Sequence, residues 1–366
     1  MSGPAERFHR GASLRRLALP GPFPLECGAR LEGMAVAYET WGEPSPGGDN
    51  AVLVIHALTG DAHASSGGRP GERPGWWEGL IGEGRALDPA RHFIICANLL
   101  GSCYGSTGPW ADPRFPTLTT RDMARAQKVL LDHLGVERLA LVLGGSLGAM
   151  VLWELLVEFP GLARAALPIA GPPRTGAWAI AFNEVARRAI VEDPLWEGGR
   201  YVGAGPKRGL ALARSIAMIS YRSHANFETR FGREFQEESD APPTDPRNRF
   251  QVESYLDHQG RKLAERFDAR SYLVLNRAMD LHDVGRGRGG AERALSSITA
   301  EVLCAGIDSD VLFPAGEMRE AAERMASAGL RARYGEIRSD VGHDAFLVEV
   351  HQVSGLVEDL LGRRRR

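Results

Sequence analysis

Apolar and polar positions alternate along this chain in two rhythms. Short apolar runs rich in β-branched residues, at Ala51–Ile55, His92–Ala97, Arg138–Leu143, Ala163–Ile169, Val302–Ile307 and Arg331–Glu336, predict buried strands. Between and after them, Thr120–Leu134, Leu147–Phe159, Ala315–Ala328 and Ala345–Leu361 place apolar residues three and four apart, which predicts helices with one face turned to a core. Strands that alternate with helices in this way build a mostly parallel sheet covered on both faces.

The alternation stops after Ile169 and resumes at Val302. From Gly171 to about Ser297 the chain reads as helical segments broken by Pro, Gly and charged stretches such as Glu237–Arg249. Because strand and helix patterns return afterwards, this stretch is expected to be an insertion between two strands of one sheet. Residues 1–170 and 298–366 would then form a discontinuous catalytic domain, and 171–297 a helical lid over the sheet's C-terminal edge, where open α/β sheets place their sites.

Composition narrows the partners. In 366 residues, 44 Lys and Arg stand against 46 Asp and Glu, so no overall field points to nucleic acid or an anionic membrane. Lysine occurs only at 128, 207 and 262, and the run Arg363–Arg366 reads as a solvated tail. Cys27, Cys96, Cys103 and Cys304 form no C-x-x-C pair and no disulfide framework, which favours a reducing cytoplasm. Met1–Arg16 lacks the apolar core and cleavage site of a secretion signal, and no apolar run is long enough to span a bilayer.

Gly144-Gly145-Ser146-Leu147-Gly148 follows the apolar run Leu139–Leu143 and opens the helix beginning at Leu147. Strand, sharp turn and helix are what a nucleophile elbow requires; the letters G-x-S-x-G alone are weak, and this context makes Ser146 the candidate nucleophile. A serine hydroxyl needs a base, and the base needs a carboxylate to fix its tautomer. His343, in the loop between the last strand and the final helix, is the candidate base, whereas His351 falls inside that helix as a surface or packing residue. The turn after Val302–Ile307 offers Asp308 and Asp310; Asp310, beside the apolar anchor Leu312–Phe313, is preferred as the acid, with Asp308 a turn former. An oxyanion hole would use the backbone N–H of Leu147 and a second from the loop His56–Asp61, either Leu58 or Ala57. His56 and His63 lack a third ligand at regular spacing and are expected to make loop hydrogen bonds, with no metal. Gly285–Gly290 lacks the Gly-Lys-Ser/Thr ending of a phosphate loop and is expected to be a flexible lid loop. Together these residues predict an α/β-hydrolase fold with a helical lid.

The chain closely resembles the homoserine O-acetyltransferases of methionine biosynthesis, a family of that fold. The resemblance runs from about Leu31 to Leu361 and rests on His56–Asp61, Pro74–Trp77, Asn98–Pro109, Gly144–Met150, Ala181–Glu184, Phe250–Leu256, Ala278–Asp280 and Gly342–Phe346. It implies Ser146, Asp310 and His343 as the triad, Arg214 as receiver of an amino-acid carboxylate and Asp344 as receiver of its ammonium. A planar guanidinium suits a carboxylate and a carboxylate suits an ammonium. The family also implies acetyl-CoA as co-substrate with no bound cofactor or metal, a ping-pong reaction through an acyl-serine, and a homodimer formed through lid helices. Departures are Leu147 and Ala149 in the elbow, where relatives often carry Met and Gly, and Ser102 and Tyr104, where Gly and Gln are common. Family members that use succinyl-CoA or accept serine, and serine esterases with the same triad, are the alternatives.

Overall fold

All six predicted strands are present in the computed structural model, which describes residues 13–69, 71–236, 242 and 244–362. They are β5 (Ala51–Ile55), β6 (Phe93–Ala97), β7 (Leu139–Gly145), β8 (Ala163–Ile169), β9 (Glu301–Ile307) and β10 (Ala332–Ile337). Four further strands come first: β1 (Arg15–Ala18), the short pair β2 (Phe23–Pro24) and β3 (Arg30–Leu31), and β4 (Ala35–Trp41). The eight-stranded sheet runs β1-β4-β6-β5-β7-β8-β9-β10; β1–β4 and β4–β6 are antiparallel and every later pairing is parallel. The pattern misses β4 because Ala35 and Ala37 are weak strand formers and a fully buried Glu39 interrupts it.

Side chains leave this sheet alternately to its two faces. Val52 and Val54 join one core and Leu53 and Ile55 the other. Helices α1 (Thr120–His133) and α2 (Leu147–Glu158) follow β6 and β7. Eleven of the twelve residues of α2 are buried, so this helix is apolar nearly all round. Between β8 and β9 run α3 (Ala177–Val191), a 3-10 segment (Pro194–Gly199), α4 (Lys207–Tyr221), α5 (His224–Phe231), α6 (Gln251–Arg266), α7 (Ala269–Asp280) and α8 (Ala291–Leu295). α4 and α6 pack so closely that a Cβ on Gly260 would stand 2.6 Å from the Ala211 carbonyl. After β9 come α9 (Ala315–Ser327), α10 (Ala345–Val348) and α11 (Val350–Leu360).

Two expectations need correction. Ala345–Leu361 is not one helix: it breaks at Glu349, with ψ at 50°. The Phe346 carbonyl, which a continuous helix would offer to Val350, instead accepts from the Trp77 indole at 2.9 Å. Nor is Gly285–Gly290 a free loop. Arg286 bonds Glu26 (2.8 Å) and Arg288 bonds Glu154 (2.7 Å) and Glu158 (3.0 Å), with Arg121 completing the group through Glu26 and Glu154. Glu154 is fully buried, and this arginine cluster is what compensates its charge.

Register places the chemistry at one edge. Ile55 lies opposite Ala97 and Gly144, Gly145 opposite Ile169, Ile169 opposite Ala305, and Ile307 opposite Ile337. The turns after β5, β7, β9 and β10, which carry His56, Ser146, Asp310 and His343, therefore emerge side by side from the C-terminal edge.

Candidate active site

Ser146 sits on a strained turn. Its φ of 57° and ψ of −122° lie where residues other than glycine are uncommon, at a cost on the order of 1–3 kcal/mol. The surroundings enforce it: the Ser146 N–H donates to the Ile169 carbonyl at 2.9 Å, and its own carbonyl accepts from Ala149 (2.9 Å) and Met150 (3.1 Å). Only glycines fit around it. A Cβ on Gly148 would lie 2.2 Å from the Ile55 carbonyl oxygen, one on Gly145 2.5 Å from the Phe346 ring, and one on Gly171 2.5 Å from the Ser146 carbonyl oxygen. Leu147 is the first residue of α2, where an N–H has no intrahelical acceptor and points out of the helix end.

The His343 ring is buried among Tyr221, Phe313 and Phe346, with centroids 5.5, 5.4 and 5.8 Å away. Its Nδ1 is 2.6 Å from Asp310 Oδ2. The other carboxylate oxygen accepts from the backbone N–H groups of Leu312 (2.8 Å) and Phe313 (3.0 Å), so Asp310 is anchored at both ends. Burial works against a charge on His343, yet the Asp310 carboxylate, by charge and by hydrogen bond, with Asp344 adding to it, holds the imidazole above its ordinary value. His343 Nε2 is buried without a hydrogen-bond partner. Asp308 points elsewhere: its Oδ1 accepts from the Ser339 N–H at 3.0 Å, bracing the turn that leads to His343. His351 is on the surface.

The loop after β5 is fixed by its own histidine. The Leu99 N–H donates to His56 Nε2 at 2.9 Å, so the proton is on Nδ1, which donates to the Ala57 carbonyl at 2.7 Å. Burial holds His56 below the ordinary histidine value, in keeping with this neutral form. The Ala57 carbonyl also accepts from Gly60 N–H at 3.0 Å. Since a trans peptide is planar, fixing that carbonyl fixes the opposite direction for the Leu58 N–H. His63 is engaged differently: Nδ1 meets Glu39 at 3.0 Å and Nε2 the Arg73 carbonyl at 2.9 Å, and the Glu39 hydrogen bond outweighs burial to raise its pKa. Both histidines are thus fully used by loop and strand.

Arg214, half-buried on α4, stacks its guanidinium 5.3 Å over the Tyr221 ring, the same ring that packs on His343. Asp344 directly follows the histidine and stands at the N-cap of α10, yet its side chain makes no capping bond; its carboxylate faces Arg222 at 3.5 Å. Burial pushes the Tyr221 hydroxyl up to about 12, with Arg214 opposing and Asp344 reinforcing the shift, so all three groups share one electrostatic neighbourhood.

Residues 50–350 match the family model of the alpha/beta hydrolase fold. The chain is 48% identical over 358 residues to the homoserine O-acetyltransferase of Moorella thermoacetica, covering 93% of this chain and 94% of that one. The chain belongs to the homoserine O-acetyltransferase family. Among solved structures, the homoserine O-acetyltransferase of Bacillus anthracis superposes with a TM-score of 0.88 at 27% identity, covering 96% of this chain and 98% of that one. Esterase E22 superposes at 0.86 with 24% identity over 95% and 99%, a likeness of fold alone.

In this homoserine O-acetyltransferase family member, sequence reasoning overlooked Tyr221, Arg222 and Glu39. Tyr221 lies seven residues after Arg214 and so on the same helix face, a signal that spacing carries. Glu39 carries no such signal, because its partner His63 comes from another loop. Among the described residues no helix is long and apolar enough to cross a membrane.

Proposed function

We propose that this chain transfers the acetyl group of acetyl-CoA to the hydroxyl of L-homoserine through an acyl-serine. What supports the reading is a buried His343–Asp310 pair at the same sheet edge as the Ser146 elbow, with Arg214 over the Tyr221 ring that packs on His343 and Asp344 next in the chain to His343, its carboxylate facing Arg222. A general esterase has no need of a cation and an anion flanking its base.

In the first half-reaction His343 Nε2 takes the Ser146 proton as Oγ attacks the thioester carbonyl. The oxyanion rests on the N–H groups of Leu147 and Leu58, and collapse breaks the C–S bond, with the proton passing from His343 to the leaving CoA thiolate. In the second, Arg214 receives the homoserine carboxylate and Asp344 its ammonium. His343 then removes the proton of the homoserine hydroxyl, whose oxygen takes the acetyl group, and the proton returns to Ser146. Asp310 keeps the histidine tautomer and stabilises its charged form. These steps need no resident metal or cofactor. The same reading makes 171–297 a lid on a hydrolase body of 1–170 and 298–366, and includes a homodimer in the cytoplasm.

The test is CoA release from acetyl-CoA and from succinyl-CoA, with homoserine, serine or neither. Fast turnover only with acetyl-CoA and homoserine is expected. Turnover indifferent to both amino acids makes the chain a hydrolase, and preference for succinyl-CoA or serine reassigns donor or acceptor.

A further inference from the structure

Helix α6 ends directly on the loop that carries Leu58. Arg266, its last residue, donates through Nη1 to the Thr59 carbonyl at 2.9 Å and to the Tyr104 hydroxyl at 2.7 Å, while Nη2 is 3.4 Å from Thr59 Oγ1. The Tyr104 hydroxyl donates back to the Arg266 carbonyl at 2.9 Å, and its buried ring meets Phe267 edge-on at 5.6 Å. Among the described residues no carboxylate pairs with Arg266; its fixed fork of donors is spent on three neutral oxygens.

This contact closes a second tie between two loops. The turns after β5 and β6 are already joined at their inner end, where the Leu99 N–H meets His56. Arg266 and Tyr104 join them at the outer end, one residue beyond Leu58. His56 sets the direction of the Leu58 N–H through the Ala57 carbonyl, but where that peptide stands depends on where the far end of the loop is held. An oxyanion donor acts only when it is about 2.7–3.1 Å from the developing charge, so sub-ångström drift of the loop weakens it steeply.

We propose that Arg266 and Tyr104 form a latch from lid to loop, positioning residues that place the Leu58 N–H for acylation of Ser146. The latch rests on the acyl-serine reading above. It makes lid docking and oxyanion-hole assembly one event, because the residue that ends the lid helix is the one that seats the donor loop.

The test follows the pre-steady-state burst of CoA from acetyl-CoA in the full-length chain. Arg266→Ala is expected to slow the burst about 10- to 100-fold, less than outright loss of a donor, with KM for acetyl-CoA within about threefold. Added guanidinium ion should restore part of that rate, which a purely structural defect would not allow. Arg266→Lys and Tyr104→Phe should show smaller losses in the same parameter, and they carry the test if the alanine variant does not fold. An unchanged burst rate overturns the latch. So does a raised KM with an unchanged saturating rate, which would make Arg266 a ligand for CoA. A wild-type chain with no burst at all instead refutes the acyl-serine reading, and with it the step the latch serves.

Discussion

Gly148→Ala adds one methyl at the point where α2 touches the end of β5. The new Cβ would lie 2.2 Å from the Ile55 carbonyl oxygen and 3.0 Å from that of His56. Contacts under 3.0 Å essentially never occur, so at least 0.8 Å must open. Both obstacles are backbone, and Ile55 is in a strand paired on both sides, with Ala97 and with Gly144, so neither can swing aside. α2 must retreat instead, taking Ser146 and the Leu147 N–H with it, while Ile55 and His56 keep the Leu58 peptide in place. The two halves of the proposed oxyanion hole separate. Overpacking of this kind costs about 1–3 kcal/mol of stability, and a displacement near 1 Å costs about 100-fold in rate. The assay is the rate of CoA release at saturating acetyl-CoA, read beside the melting temperature. Gly316→Ala, in α9, where an added Cβ meets nothing within 4 Å, is the control and should leave the rate unchanged and the melting temperature unchanged or slightly raised. A Gly148→Ala enzyme within about threefold of wild type would refute the claim that this contact sets the spacing of the site.

Asp310→Asn should lower turnover about 10⁴-fold, as expected when the carboxylate that holds a triad histidine is lost, while Asp308→Asn, which keeps an acceptor for Ser339, should be mild; the reverse ranking in steady-state kinetics would reassign the acid. The surviving activity of Asp310→Asn should have its acidic limb at lower pH, because burial then acts on His343 with the main raising influence gone; a pH–rate profile checks the direction. Arg214→Ala should leave the CoA burst intact and slow transfer to homoserine about 10- to 150-fold, the worth of a lost charge-assisted contact of about 1.5–3 kcal/mol; a lost burst would move Arg214 to the CoA half-reaction. His282, buried and bonded to Thr120, is held by burial down to about 3. A depressed histidine is protonated first in the unfolded chain, so its contribution to stability is complete above about pH 6.5 and falls as pH drops toward 3. Between pH 6.5 and 4.5 this amounts to about 2–3 kcal/mol, and urea titrations should show a shallower acid loss in His282→Gln; equal slopes would mean that His282 takes up its proton alike in the folded and unfolded chain and is not depressed by burial.

Local information decided a large part of this molecule. The strands from β5 onward, the helices that cover them, the strand-turn-helix at Ser146 and the candidate set Ser146, Asp310 and His343 were legible because period, turn chemistry and chain order can be read from the sequence itself. What the sequence left open depends on partners brought together by the fold. Glu39 looks like a flaw in a strand until His63 is found on it, and the last helix looks continuous until the Trp77 indole takes the Phe346 carbonyl from 269 positions away. The glycine-rich segment at 285–290 reads as slack chain, and is held by Arg286, whose partner Glu26 lies 260 positions away, and by Arg288, whose partners Glu154 and Glu158 lie 134 and 130 positions away. The sequence preferred Asp310 to Asp308, but that the Asp310 carboxylate meets His343 while that of Asp308 meets Ser339 depends on how the turns after β9 and β10 come together, as the proposed seating of Leu58 depends on a lid residue 207 positions from Thr59. A pairing of that range leaves no periodic trace, because the pattern of each segment reports only which face it buries, and the identity of the group across the interface is set when the segments meet.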